Sequence, residues 1–113
     1  MAAVANLSVD QGATFTSDVT IKDINGNTFN LTGYTPRAKM ALGYASTRTR
    51  VTMTTTVASD ATTGIVTLSL TDTQTAALED ARYVYDVEIV NDSSGAVTRV
   101  IEGIITVRPN VTT

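Results

Sequence analysis

The chain has no cysteine, no histidine and no tryptophan, and its 113 residues include only two prolines. Without cysteine there is no disulfide frame, no thiolate nucleophile and no zinc site of the common kind. Without histidine, acid–base chemistry falls to carboxylates, lysine or tyrosine, and nucleophilic attack needs a serine or threonine activated by lysine. Lys22 and Lys39 are the only lysines, and Ser69, Ser93 and Ser94 fall in strand or turn segments. No catalytic residue is therefore assigned, and no metal, cofactor or small-molecule substrate is expected. The eight basic and eleven acidic residues leave a net charge of −3, which argues against nucleic acid as a partner, because that binding needs a basic footprint. No apolar run is long enough for a membrane-spanning helix, and the start MAAVANLSVDQG lacks the basic and apolar regions of a signal peptide. The expectation is a complete soluble protein, one domain over 1–113 with short flexible tails at both ends.

What is present is valine and threonine in alternation. The segment Arg82 to Arg108 carries two long alternating runs around Asp92-Ser93-Ser94-Gly95, a hairpin signature. Tyr83, Tyr85, Val87 and Ile89 share one face of the first run, and Val97, Ile101, Ile105 and Val107 share one face of the second. Both sets are odd-numbered, so placing them on one face of the hairpin requires a loop of odd length. A three-residue loop, Ser93 to Gly95 with Gly95 left-handed, pairs Asp92 with Ala96 and sets Val87 opposite Ile101, Tyr85 opposite Gly103 and Tyr83 opposite Ile105.

The other elements follow the same rules. Met1 to Ala5 has small side chains and nothing to bury, so it is expected to be loose. Leu7 and Val9 begin a strand that breaks at Asp10-Gln11-Gly12. Phe15, Val19 and Ile21 line the inner side of the next. Asn25-Gly26 predicts a two-residue type I′ turn into a short strand with Phe29 and Leu31. Ala38, Met40 and Leu42 line a strand from Tyr34 to Leu42, with Pro36 near its start because proline cannot donate to a ladder. Val51 to Val57 and Ile65 to Leu70 are two more strands. Thr71 with Gln74 fits a capping box, predicting one short helix near 72–80 with Ala77 and Leu78 facing the core. The result is an all-β antiparallel sandwich with Phe15, Val19, Ile21, Leu31, Met40, Leu68, Leu70, Leu78, Tyr85, Val87, Ile101 and Ile105 inside.

Candidate partner-binding residues come from two places. The polar segment Gly43 to Arg50 reads as an exposed loop, and its Arg48 and Arg50 could meet an acidic group or simply solvate the tip. The outer face of the hairpin is incompletely polar. Val84, Val100 and Ile104 interrupt its charged residues, and such a face needs cover from a crossing N-terminal strand or from another subunit. Asp86 and Glu102 should lie opposite each other there. Two carboxylates fall short of the oxygens calcium needs, so a solvated pair flanked by Arg37, Lys39 or Arg99 is the simpler reading.

Six stretches in order carry a resemblance. They are Asp10 to Phe15, Asp23 to Gly26, Asn30 to Tyr34, Gly64 to Leu70 followed by Gln74-Thr75, Arg82 to Val87, and Thr98 to Gly103. Together they resemble a family of small bacteriophage virion proteins similar to the immunoglobulin-like N-terminal domain of the phage baseplate upper protein. The resemblance implies an immunoglobulin-like sandwich in a multicopy virion subunit, a tail, baseplate or fibre-attachment adaptor binding other virion proteins. A capsid-surface decoration protein or a carbohydrate-binding module is the alternative. The latter would expose rings, for which only Tyr34 and Tyr44 are available. Ending at Thr113, the chain would be an adaptor or decoration unit without a receptor-binding domain.

Overall fold

The computed structural model describes residues 3–45 and 49–111. Among these residues eight strands form: β1 (Ala3–Val4), β2 (Leu7–Asp10), β3 (Phe15–Thr20), β4 (Tyr34–Ala41), β5 (Val51–Val57), β6 (Ile65–Leu70), β7 (Arg82–Asn91) and β8 (Val97–Arg108). A 3₁₀ turn at Ala61–Thr63 and a five-residue helix α1 (Asp72–Ala76) complete them. The ladders run β1-β8-β7-β4-β5-β6-β3, with β2 also on β8. β5 belongs to two sheets. Its first residues pair with β4 in sheet A, and Thr54 to Val57 pair with β6 in sheet B. Sheet A is thus β1 and β2, β8, β7, β4 and the start of β5, while sheet B is the end of β5, β6 and β3. With β3 and β6 on one sheet, β4, β7 and β8 on the other, and a first strand running parallel to the last, the order is that of an immunoglobulin-like sandwich.

All twelve residues expected inside are buried, and they form one cluster with Val9, Met53, Val66, Tyr83, Ile89 and Val107. Each large aliphatic side chain so buried contributes about 1.5–3 kcal/mol. α1 carries the chain from sheet B to sheet A. Its capping box is complete, with Gln74 N–H donating to Thr71 Oγ1 and Thr71 N–H to Gln74 Oε1. Leu78 reaches the core, but Ala77 is exposed and the buried helical residue is Thr75. Thr75 avoids an unpaired hydroxyl by donating to Ala13 O (2.9 Å). At the start of β7, Tyr83 Oη accepts from Glu79 N–H four residues upstream (2.8 Å), the corner that fixes this crossover in related sandwiches.

Pro36 sits third in β4, paired with Ile89 of β7. Its carbonyl accepts from Thr55 Oγ1, so its missing N–H also faces β5, where that strand has already left for sheet B. Leu42, expected on the inner side, lies beyond the strand and is partly exposed.

The hairpin register is as expected at its base, with Val87 opposite Ile101, Tyr85 opposite Gly103 and Tyr83 opposite Ile105. Its loop is different. Asn91 N–H donates to Ala96 O, so Asp92 to Gly95 form a four-residue loop, capped by Asn91 Oδ1 accepting from Ser93 and Ser94 N–H. A bulge restores the parity. Glu88 pairs with Arg99 and Val87 with Ile101, leaving Val100 as the extra residue. Beyond it Val97 pairs with Val90 on the outer side and is 46% exposed, not inside as expected.

Three further expectations are corrected. Asn25 has no positive φ, so the turn is not type I′. Asp23 pairs with Asn27 across Ile24, Asn25 and Gly26, and the Asp23 carboxylate accepts from Asn25 and Asn27 N–H, which favours the three-residue loop. After it only one bridge forms, Lys22 with Thr28, so Phe29 and Leu31 are not a strand although Leu31 is buried. The N-terminal segment is not loose from Ala3 onward. It pairs parallel with β8 in the plane of sheet A and does not cross its outer face.

Candidate functional site

The outer face of sheet A is built from the even-numbered residues of β7 and the matching outward residues of β4 and β8. Register sets them in rows across the three strands. Ala41, Val84 and Ile104 form an apolar row, and Lys39, Asp86 and Glu102 the next. Arg37, Glu88 and Arg99 follow, then Thr35, Val90 and Val97. Charges of both signs thus fill the middle, alternating along the Arg37–Glu88–Arg99 row, with apolar side chains at both ends. Arg37 Nε meets Glu88 Oε1 at 2.8 Å, and Arg99 lies 3.4 Å from Asp86 and 3.9 Å from Glu102. Such half-exposed pairs contribute little to stability; they set which surfaces fit against the face.

Asp86 and Glu102 do lie opposite each other, and Arg99 lies between them, the arrangement expected of a charge-matched pair. Partial burial, and then the neighbouring Glu88 charge, raise the Asp86 carboxyl above its usual range against the pull of Arg99 and Arg50, with Glu102 adding to the rise. Among the described residues no group of three or more carboxylates gathers to hold a metal ion.

The candidate residues divide. Val84 and Ile104 are directly paired on the outer face, Ile104 being 40% exposed. Val100, as the bulge residue, is half-buried and packs against the core cluster. Arg50 folds onto its own loop, donating to the carbonyls of Gly43, Tyr44 and Ala45 at 3.1–3.2 Å. Arg48 lies outside the described residues. Arg50, Arg37, Lys39, Tyr44 and Val84 line a shallow recess of about 380 Å³ at this corner. Tyr44 is 71% exposed, whereas Tyr34 packs edge-on against Phe29 with ring centroids 5.2 Å apart. Two apolar residues of this face were missed: Ala41, which is buried beside Val84, and Val4, which is 72% exposed and lies beside Glu102 at the end of the charged row. Ala41 has outward parity beside Val84, but an alanine gives no signal of its own.

No protein-family model and no curated protein matches the chain in sequence. Solved structures do match in shape. The N-terminal domain of phage TP901-1 ORF48 superposes with a TM-score of 0.56 at 13% identity, covering 92% of this chain and 85% of that one. A chicken T-cell receptor matches with a TM-score of 0.58 at 14% identity, covering 95% of this chain and 54% of that one. At these identities the likeness is one of fold, and the fold is the immunoglobulin-like sandwich.

Proposed function

We propose that this protein is a non-catalytic structural component of a bacteriophage virion, a tail, baseplate or fibre-attachment adaptor present in many copies. The observation that carries the reading is the likeness of nearly the whole chain to a phage protein's N-terminal domain, together with the six ordered stretches of sequence. A flat face with matched charges and apolar ends suits another protein surface better than a small ligand. Val84, Ile104, Tyr44 and the 43–50 loop are its contact points with other virion proteins.

The test is the composition and cryo-electron microscopy of purified particles carrying Val84→Lys with Ile104→Glu. The expected result is a folded protein missing from particles, whereas Ile101→Ala loses stability because it empties core volume. Full occupancy by the double variant refutes the face, and absence of the wild type from particles refutes the virion role. The density also separates a tail position from decoration of the capsid surface.

A further inference from the structure

The edge of sheet B carries an inference that stands independently of the virion role. Ile21 donates its N–H to Gly64 O (2.7 Å), which fixes the phase of the β3–β6 ladder. Odd-numbered residues of β3 therefore turn their backbone groups toward β6, and Thr16, Asp18 and Thr20 turn theirs away. Lys22 continues the row, because Ile21 O and Asp23 N–H on either side of it bond to Phe29 and Asn27. Four N–H and four C=O groups thus lie along one open edge. Of the usual blocking devices the stretch between Phe15 and Lys22 has no proline and no bulge, and its only charges are Asp18 and Lys22.

We propose that this edge pairs antiparallel with the same edge of a second copy, extending sheet B from three strands to six about a two-fold axis at Thr20. The edge is complementary to itself when reversed. Asp18 and Lys22 both point outward and are exposed; the Asp18 carboxylate accepts from Thr67 Oγ1 on β6 (2.6 Å), and neither residue forms an ion pair among the described residues. In the register centred on Thr20, Asp18 of each copy faces Lys22 of the other, whereas centring on Asp18 sets like charges opposite. The same register explains Ile24, which is 95% exposed at the tip of its turn. It comes to lie beside Thr16 of the second copy, at a recess of about 380 Å³ lined by Leu7, Phe15 and Thr16. A pairing of one strand with one strand is small, so the dimer is weak and concentration-dependent.

Sedimentation equilibrium of the wild type and of Asp18→Lys, Lys22→Asp and the double swap tests it, with thermal unfolding as the check on folding. The wild type should dimerise, and each single variant should weaken the dimer roughly tenfold or more, since two like-charge contacts arise per dimer. The double swap should restore it. The two single variants, mixed, should pair with each other more tightly than either pairs with itself. Amides of Thr16, Asp18, Thr20 and Lys22 should exchange more slowly as the dimer fills. Equal dimerisation by all four proteins overturns the proposal, and so does a dimer that leaves those amides unprotected. A wild type that stays monomeric at every concentration overturns it too, and leaves the edge to a strand from a different chain.

Discussion

The edge of sheet A and the edge of sheet B are both ends of antiparallel ladders, yet the chain treats them differently. At sheet A the N-terminal segment lies along β8 with a constant register, Ala3 beside Ile101 and Leu7 beside Ile105. Where Ala5 and Asn6 interrupt the ladder, side chains take over. Tyr85 Oη donates to Ala5 O (2.5 Å), and Asn6 Oδ1 accepts from Ile104 N–H (3.1 Å). At sheet B no segment among the described residues covers β3. The difference teaches that edge protection here is specific: one edge is strapped by a backbone that fits a single gap, and the other is left polar and open.

The gap is Gly103, so the largest effect should come from filling it. A Cβ there would fall on the Ala5 carbonyl, 2.8 Å from its carbon, and backbone cannot swing aside as a flexible side chain can. Gly103→Ala should cost about 1–3 kcal/mol, as overpacking does. Urea unfolding measures the loss, and faster amide exchange in β1 and β2 alone would place it at the strap.

Tyr85→Phe comes next. It keeps the ring over the core but leaves Ala5 O without its donor, for an expected loss of about 1–3 kcal/mol at neutral pH. Burial pushes the Tyr85 phenol up to about 12 from an ordinary 10.0. An acid with a raised folded pKa gives stability that is complete below its unfolded pKa and is lost as pH rises through the folded one. Wild-type stability should therefore fall from about pH 10 to 12. Tyr85→Phe should lack this component of the fall, which unfolding at a series of alkaline pH values would show. Asn6→Ala removes only an exposed acceptor, and chemical denaturation should register about 0.5–1 kcal/mol.

How far the sequence reveals these edges depends on what sets each feature. Parity of the apolar residues placed Tyr85 over Gly103 and Val87 over Ile101, since a slip by one residue would have exposed the core. It could not place the loop, because a three-residue loop, or four residues plus a bulge at Val100, gives the same pairing at the base. Val97 was misplaced for that reason. At Asn25-Gly26 the Asp23 carboxylate overrode the two-residue turn. The strap had one legible sign, a glycine within a strand, which marks a place where another backbone can approach closely. Strand pairing alone makes it only the residue opposite Tyr85. Of the candidate site, the Val84–Ile104 row was legible from alternation, whereas the Arg50 guanidinium folding back on its loop depends on geometry that alternation does not carry. The openness of β3 was not legible at all, since it arises only because β2 joins β8.

The smallest effect on stability should therefore fall on β3, and Thr20→Lys tests this. Thr20 is exposed, and its backbone N–H and C=O already point away from β6. A lysine there meets no core atom and breaks no ladder hydrogen bond, so the monomer should change by no more than about 0.5 kcal/mol. The same substitution puts two ammonium groups against each other at the centre of a paired edge, where β-structure disfavours like charges. Unfolding of dilute protein should match the wild type, while sedimentation at high concentration should show less dimer. A large loss in dilute protein would mean that β3 is already covered within the chain, and the contrast between the two edges would fail.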